Sequence, residues 1–401
     1  MSRSKRQPTP TSRIEVAQVV TRFIAGAGGV ALRGVLPLDP ERFHVTFVTG
    51  EVGPLADLAA EAGHEVLVEP SLVPTLSAHD DRVALSRLRR LFLARQFDVV
   101  HTHSAKAGAV GRWAAHRAGT PLIVHTYHGF PFHPFQSPAR RAAYIGVERQ
   151  LARVTDVVLA IGTGVATEAL RRGLARPETL RTVEPVVDGR VVVQTPTTRE
   201  AARRVLGLGA DVPVVGTVGR LDFQKAPEHF VEALAVLRRQ DAVGVWIGGG
   251  PLLDRTRQHA GRLGVAHRLR LVGERTDVAD LLPAFDVFAM SSRYEGLPCA
   301  VVEAMRCGLP VVATAVNSVP DLVVPGVSGL LVPPAAPRTL AAAIDGLLEA
   351  PATAHRLAGE GQRRAGAAYD AATLSTLLDQ VYSEGLVREP FRQQPSLVHA
   401  R

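Results

Sequence analysis

Glu295 and Glu303 stand eight positions apart in Ser291–Val316, SSRYEGLPCAVVEAMRCGLPVVATAV, a stretch otherwise almost wholly apolar or small. An ionised carboxylate among apolar neighbours costs free energy unless it is hydrogen-bonded. A carboxylate accepts two or more hydrogen bonds, so the hydroxyls of a sugar or ribose suit it. The competing reading is that Glu303 pairs with a basic residue of its own domain, and on this stretch alone the two stand level. A second pair has the opposite sign: in VGRLDFQKAPEHFVEAL (218–234), Arg220 and Lys225 lie five apart on a segment that leaves a strand and enters a helix near Ala226 or Pro227. Two cations at the carboxyl end of a strand, just before a helix N-terminus, suit a diphosphate. They are equally what solvated loop cations look like.

The elements around these residues are legible. RYEGLP follows the strand DVFAM (286–290), Pro298 suits the first helical position, and Gly308 suits a helix C-terminus. Amides from Leu297 to Ala300 would then favour an anion. IGGGPLLDR (247–255) reads as a further strand, glycine loop and helix, in which backbone can approach a ligand. GAGGVALRGV (26–35) has Gly26, Gly28 and Gly29 after the first strand, partly like a dinucleotide fingerprint. No acidic residue is expected at the end of the second strand, which argues against a nicotinamide site. HTHSAKAGAVGR (101–112) and HTYHGFPFHPF (125–135) also close strands, placing His128 before Gly129. His101 and His103 share a strand face without a neighbouring carboxylate or cysteine, and no Asp-x-Asp occurs, so no metal or other cofactor is expected.

Across the 401 residues, short β-rich runs alternate with amphipathic helical patterns. That alternation predicts an α/β protein with parallel sheets covered on both faces. Strands are predicted at 14–20, 43–50, 64–68, 97–103, 121–128 and 154–161, then at 213–219, 243–250, 269–273, 286–290 and 309–314, with a helix over 80–96. Thr, Pro and Gly gather at 187–213. We therefore expect a basic disordered tail at 1–13, a Rossmann-like domain at 14–190, a linker at 191–212, a second Rossmann-like domain at 211–370, and a helix crossing the junction plus a tail at 371–401. Ligands of open parallel sheets bind at the carboxyl ends of the strands, so a cleft between the two sheets is the expected site. The net charge of +8 and pI of about 10.1 suit an acidic or phosphate-bearing partner, but Arg is scattered and points weakly to nucleic acid. The two cysteines, Cys299 and Cys307, do not make a disulfide scaffold. No run of roughly 18 apolar residues is present, and the N-terminus lacks the apolar core of a signal peptide, so a cytoplasmic protein is expected.

Taken together, these segments resemble a known family. EGLPCAVVEAM resembles the E-x7-E motif of retaining glycosyltransferases with the GT-B fold, and GRLDFQK resembles their Arg-x4-Lys motif. GGGPL, LVGERTDV and GLPVVAT are similar to segments of family 4 glycosyltransferases, in the same order, and HTHSAKAGAVGR and HTYHGFPFHP resemble its bacterial polysaccharide and lipid-sugar branch. The resemblance runs from about Val16 to Tyr382 and implies two Rossmann-like domains facing across a cleft. It implies that Glu295 binds donor-sugar hydroxyls, with Gly296 and Leu297 beside it, and that Glu303 holds the nucleotide ribose. It implies that Arg220 and Lys225 clamp the diphosphate, that His128 lies beside the sugar, and that Gly28 and Gly29 admit the diphosphate close to backbone. Arg275, in LVGERTDV, would shape the base pocket. The family uses no metal and retains anomeric configuration, commonly explained by front-face attack. KAP at 225–227 replaces the usual KGP, Thr163 stands where a Ser is usual, and VVDGRVVVQ (186–194) lacks the usual Asn-Gly.

The expected reaction is sugar transfer from a nucleotide-diphosphate sugar, with uridine the expected base, to a lipid-linked or polysaccharide acceptor in cell-envelope or exopolysaccharide synthesis. Phe130, Phe132 and Phe135, followed by Arg140 and Arg141, would suit the inner membrane face if exposed, and would equally suit the domain interior. Lys106, at an expected helix start, could meet an acceptor phosphate or be solvated. Two other classes compete: a GT-B-fold sugar-nucleotide epimerase, which would need an acid/base pair that no segment supplies, and a non-catalytic sugar-nucleotide sensor, which could do without Glu295 or His128.

Overall fold

The computed structural model describes residues 13–387, except 25, 185, 188, 189 and 370. The basic N-terminal tail, the last residues from 388 and Asp188–Gly189 of the atypical VVDGRVVVQ segment therefore lie outside the described residues. The chain forms two compact units, one of residues up to Glu184 together with the helix Ala371–Val387, and one from 185 to 370.

The first unit is built on seven parallel strands: β1 (Ile14–Phe23), β2 (Phe43–Val52), β3 (Glu65–Val68), β4 (Val99–His103), β5 (Leu122–Tyr127), β6 (Val157–Ile161) and β7 (Leu180–Val183), in the order β3-β2-β1-β4-β5-β6-β7. The second has six: β8 (Val214–Val218), β9 (Val243–Ile247), β10 (Leu269–Gly273), β11 (Val287–Met290), β12 (Val311–Thr314) and β13 (Leu330–Val332), in the order β10-β9-β8-β11-β12-β13. The central strands are buried along their whole length, as β5 and β12 are, because helices cover both faces. β7 and β13 are four and three residues long, too short to give a sequence signal of their own. In each sheet the order reverses beside the first strand, between β1 and β4 and between β8 and β11. In a doubly wound sheet that reversal is where a ligand seats, outside the carboxyl ends of the strands.

Several expectations shift. β2 runs on to Val52, because Arg22 and Phe23 of β1 continue to pair with Glu51 and Val52. An acidic residue does therefore stand at the end of the second strand, and Glu51 is ion-paired with Arg22 at 2.7 Å. The expected linker at 191–212 contains the helix Pro196–Val205, opened by a reciprocal Thr195/Thr198 cap. The buried Arg203 ties this segment to the second sheet: its guanidinium donates to the carbonyls of Gly209, Ala210 and Val212 and to Asp286 at 2.8 Å. The last helix belongs to the first unit, where Leu374 and Leu378 pack on Gly34 so closely that a Cβ there would lie 2.8 Å from Leu374. Arg42 also pairs with Asp379.

Candidate active site

Three loops at the carboxyl ends of β8, β11 and β12 converge in the second unit. After β8 the chain turns through Gly219 to Ala226 and enters the helix Pro227–Val236. The turn is pinned to β9 and to the glycine loop that follows it: Trp246 Nε1, on β9, donates to the Gly219 carbonyl at 2.7 Å, and Leu221 N donates to the Gly249 carbonyl of the loop at 2.7 Å. Gly248, at φ 136°, permits this approach, since a Cβ there would sit 2.1 Å from the Gly219 oxygen. Ser291, just beyond β11, donates to the carbonyls of Lys225 and Ala226 at 3.0 and 3.1 Å.

This framework brings Lys225 and Glu295 into direct contact. Lys225 Nζ lies 2.6 Å from Glu295 Oε1, and the two side chains are 19% and 5% exposed. Ser292 Oγ donates to the same oxygen at 2.6 Å, and Gln224 Nε2 donates to Oε2 at 3.0 Å. Asn317, on the loop after β12, accepts from the Glu295 amide at 2.9 Å and so fixes the backbone. The carboxylate cost anticipated from sequence is met by protein donors. Gln224, Ser292 and Asn317 escaped sequence reasoning; the only signal they gave was their place beside strand ends.

The other predicted residues of this unit are distributed around that pair. Arg220 occupies the same loop, 68% exposed at its side chain and paired with Asp222 at 2.8 Å; Asp222 also accepts from the Lys225 amide at 3.1 Å. Leu297 is buried and Gly296 half-buried. Pro298 is extended (ψ 110°) and precedes the helix Cys299–Cys307 rather than starting it, while Gly308 ends that helix at φ 87° as expected. Glu303 is the half-buried position between the buried Val302 and Ala304. Arg275 is exposed and pairs with Asp277 at 2.6 Å, on the loop after β10.

In the first unit, His128 follows β5 and hydrogen-bonds through Nε2 to His103 Nδ1 at 2.9 Å. Burial holds its imidazole down to about 4, and that of His101 to about 3, so both rings are neutral at neutral pH. Gly28 and Gly29 lie in the first turn of the helix Ala27–Val35. A Cβ on Gly28 would meet the Arg22 carbonyl at 3.1 Å, so close helix–strand packing accounts for that glycine without a ligand. Lys106 is neither solvated nor free: its side chain is 8% exposed and paired with Asp81, so a role at an acceptor phosphate requires that pair to open. Phe130 and Phe132 belong to the core around Tyr127, Ile145 and Val158, and only Phe135 of the three is exposed. Among the described residues, no group of three or more His, Cys, Asp or Glu side chains is arranged to hold a metal.

The chain matches two family models, "Glycosyl transferase 4-like domain" over residues 26–185 and "Glycosyl transferases group 1" over residues 198–364. It is 30% identical over 312 residues to an Escherichia coli UDP-Gal:alpha-D-GlcNAc-diphosphoundecaprenol alpha-1,3-galactosyltransferase, covering 76% of this chain and 80% of that one. This chain is a family 4 glycosyltransferase. The glycosyltransferase is also 33% identical over 341 residues to a D-inositol 3-phosphate glycosyltransferase of Catenulispora acidiphila, with 78% of each chain covered. Its fold is that of Anabaena HepE, solved with UDP and glucose, at a TM-score of 0.81 and 22% identity over 93% of this chain and 100% of that one. The epimerase and sensor readings find no support among these relatives. The N-domain segments that first suggested a dinucleotide fingerprint lie inside the 4-like family match, so Glu51 at the end of β2 carries no nicotinamide implication.

Proposed function

We propose that the glycosyltransferase takes a UDP-sugar as donor and transfers the sugar, with retention of configuration, to a lipid-linked glycan at the cytoplasmic face of a membrane. The single observation that carries the donor reading is the buried Lys225–Glu295 pair, set beside Arg220 on the loops where the second sheet reverses order. In this reading the glycosidic bond to the diphosphate breaks, and the bonding electrons leave with the phosphate oxygen. Arg220 and Lys225 neutralise the charge that develops there. The acceptor hydroxyl attacks the same face of the sugar and its proton passes to the departing phosphate oxygen. Glu295, whose orientation is held by Gln224, Ser292 and Asn317, accepts from the sugar hydroxyls. Glu303 takes the ribose, with Arg275 beside the base, Gly296 and Leu297 at the sugar, and His128 as the first unit's contact with the transferred sugar.

Retention and uridine are supported by the E. coli relative, whose name pairs UDP-Gal with an alpha-1,3 product. The same name supports a lipid diphosphate acceptor. The inositol phosphate named for the Catenulispora relative is the second reading, and both acceptors carry phosphate. Among the described residues no helix is long and apolar enough to cross a membrane, so attachment would be peripheral. Phe135, 53% exposed and followed by Arg140 and Arg141, is the candidate contact. The test incubates the enzyme with UDP-galactose, UDP-glucose or UDP-GlcNAc and either a GlcNAc-diphospholipid or D-inositol 3-phosphate. Acceptor-dependent UDP release with the lipid supports the reading, and turnover with inositol phosphate alone transfers it to the soluble acceptor. Flotation on anionic liposomes that is unchanged by Phe135→Ala removes the membrane contact.

A further inference from the structure

Both cations of the loop after β8 already hold an acid, but the two pairs differ in kind. Arg220 meets Asp222 with its own side chain largely exposed, and an ion pair open to water is screened and yields at little cost. Lys225 meets Glu295 at 2.6 Å with the carboxylate almost wholly buried. Water cannot replace the ammonium there. Separating the two leaves a carboxylate that Ser292 Oγ and Gln224 Nε2 alone still serve. A ligand that reaches for Lys225 therefore meets a competitor built into the site.

That competition does not fall equally on every nucleotide. The outer phosphate of a nucleoside diphosphate either draws the ammonium away from Glu295 or comes to rest beside a carboxylate of like charge, and both are unfavourable. A sugar carried on that phosphate brings hydroxyl hydrogens, which the carboxylate accepts in place of the lost N–H. A free nucleoside diphosphate brings none. Occupying both halves of the pair leaves neither charge bare, whereas occupying the lysine alone strands the glutamate. Ser291 ties the loops after β8 and β11 together by donating to the Lys225 and Ala226 carbonyls, so the exchange of partners is one of side chains on a fixed backbone.

We propose that the Lys225–Glu295 pair distinguishes the sugar donor from the spent nucleotide: Glu295 competes with a bound nucleoside diphosphate for Lys225, and the competition is suppressed while the sugar is attached. The proposal rests on the reading that Lys225 meets the diphosphate and Glu295 the transferred sugar. Once the sugar has left with the acceptor, the carboxylate is uncovered. Re-forming the 2.6 Å contact then loosens the diphosphate that remains and speeds its release.

The experiment measures dissociation constants by titration calorimetry, without acceptor, for UDP, UDP-galactose, UDP-glucose and UDP-GlcNAc. It uses the full chain as wild type, Glu295→Gln, Gln224→Ala and Lys225→Met, at a temperature where thermal melts show each folded. Glu295→Gln keeps an oxygen for the ammonium and removes the charge. UDP should then bind about tenfold more tightly than to wild type, the equivalent of exchanging a charged hydrogen bond for a neutral one, while the best-bound UDP-sugar gains nothing. Gln224→Ala acts the other way, because it removes a donor that the carboxylate needs most once Lys225 is drawn off: UDP should weaken about threefold, the equivalent of one net hydrogen bond, and the UDP-sugar less. UDP bound no more tightly by Glu295→Gln overturns the proposal. So does a gain shared equally by UDP and all three UDP-sugars, which would make Glu295 a general repeller of phosphate. If Glu295→Gln does not fold, Gln224→Ala decides: UDP affinity left unchanged, or lowered equally with that of every UDP-sugar, overturns the proposal. Wild-type UDP affinity in Lys225→Met is a different failure, since it removes Lys225 from the diphosphate and takes the donor-site reading with it.

Discussion

Replacing Lys225 by Met keeps the length of the stem and removes the ammonium from Glu295. The carboxylate, 5% exposed at its side chain, loses a 2.6 Å bond and keeps two neutral donors, Ser292 Oγ at 2.6 Å and Gln224 Nε2 at 3.0 Å. A hydrogen bond to a charged group contributes about 1.5–3 kcal/mol, and leaving a fully buried charge without its partner costs about 3–5 kcal/mol. Because two donors stay and Lys225 is 19% exposed, the lower range applies, and we expect about 2 kcal/mol. For a unit of this size that is a fall of about 4–8 °C in its melting transition. Lys225→Met/Glu295→Gln should recover much of this loss, since the uncompensated charge has been removed, giving a coupling of about 1.5–2 kcal/mol in the double-mutant cycle. Turnover should not recover: both single variants and the double should lose about 100- to 1000-fold in kcat, the usual consequence of removing one group that stabilises developing charge. Calorimetry and acceptor-dependent UDP release measure the two effects separately. Additive stability changes would mean that the pair does not exist in solution, and near wild-type turnover in either single variant would refute the donor-site assignment.

Three other outcomes follow from the same structure. His101, His103 and His128 have folded-state pKa values lowered by burial from 6.5, to about 3 and about 4 for the first and last, so the unfolded chain binds protons that the folded one does not. Stability of the first unit should therefore be intact above pH 6.5 and fall as pH drops toward 4, by up to about 1.4 kcal/mol per pH unit for each histidine, read by urea titrations at pH 7, 6 and 5; a flat profile would contradict the burial. Glu148→Gln should destabilise the first unit by about 3–5 kcal/mol, because it strands the fully buried Arg112 that Glu148 holds at 2.7 Å, and chemical denaturation reads it directly. Asn317→Ala should cost about 1 kcal/mol of stability and about fivefold in kcat/KM by untying the Glu295 amide, and unchanged kinetics would show that the amide bond does not orient the carboxylate.

Much of the architecture was open to reading along the chain. Strand positions such as 214–218 and 311–314 announce themselves through β-branched runs bounded by Gly and Pro, and Gly308 marks a helix end because it needs no Cβ at φ 87°. Pro298 misled by one position, since a missing N–H is as acceptable just before a helix as in its first turn. The aromatic run 130–135 could not be apportioned between surface and interior, because hydrophobicity alone does not say which ring turns toward Tyr127. Lys106 and Glu51 looked ordinary or were overlooked because their partners, Asp81 and Arg22, come from other elements.

Composition and alternation, residue by residue, were enough to determine two parallel sheets and the kind of side chain each strand end offers: cations after β8, a carboxylate after β11, histidines at the end of β4 and just after β5. Which of these touch was decided by strand order. β8 lies beside β11 and not beside β10, and so Lys225 meets Glu295 across 70 positions of chain. The last helix returns to the first sheet, and so Tyr382 reaches Gln18 across 364. A local pattern records what each residue prefers around itself. Contacts between distant residues come from the way whole sheets and helices bury their apolar faces, and that is a property of the folded chain as a whole.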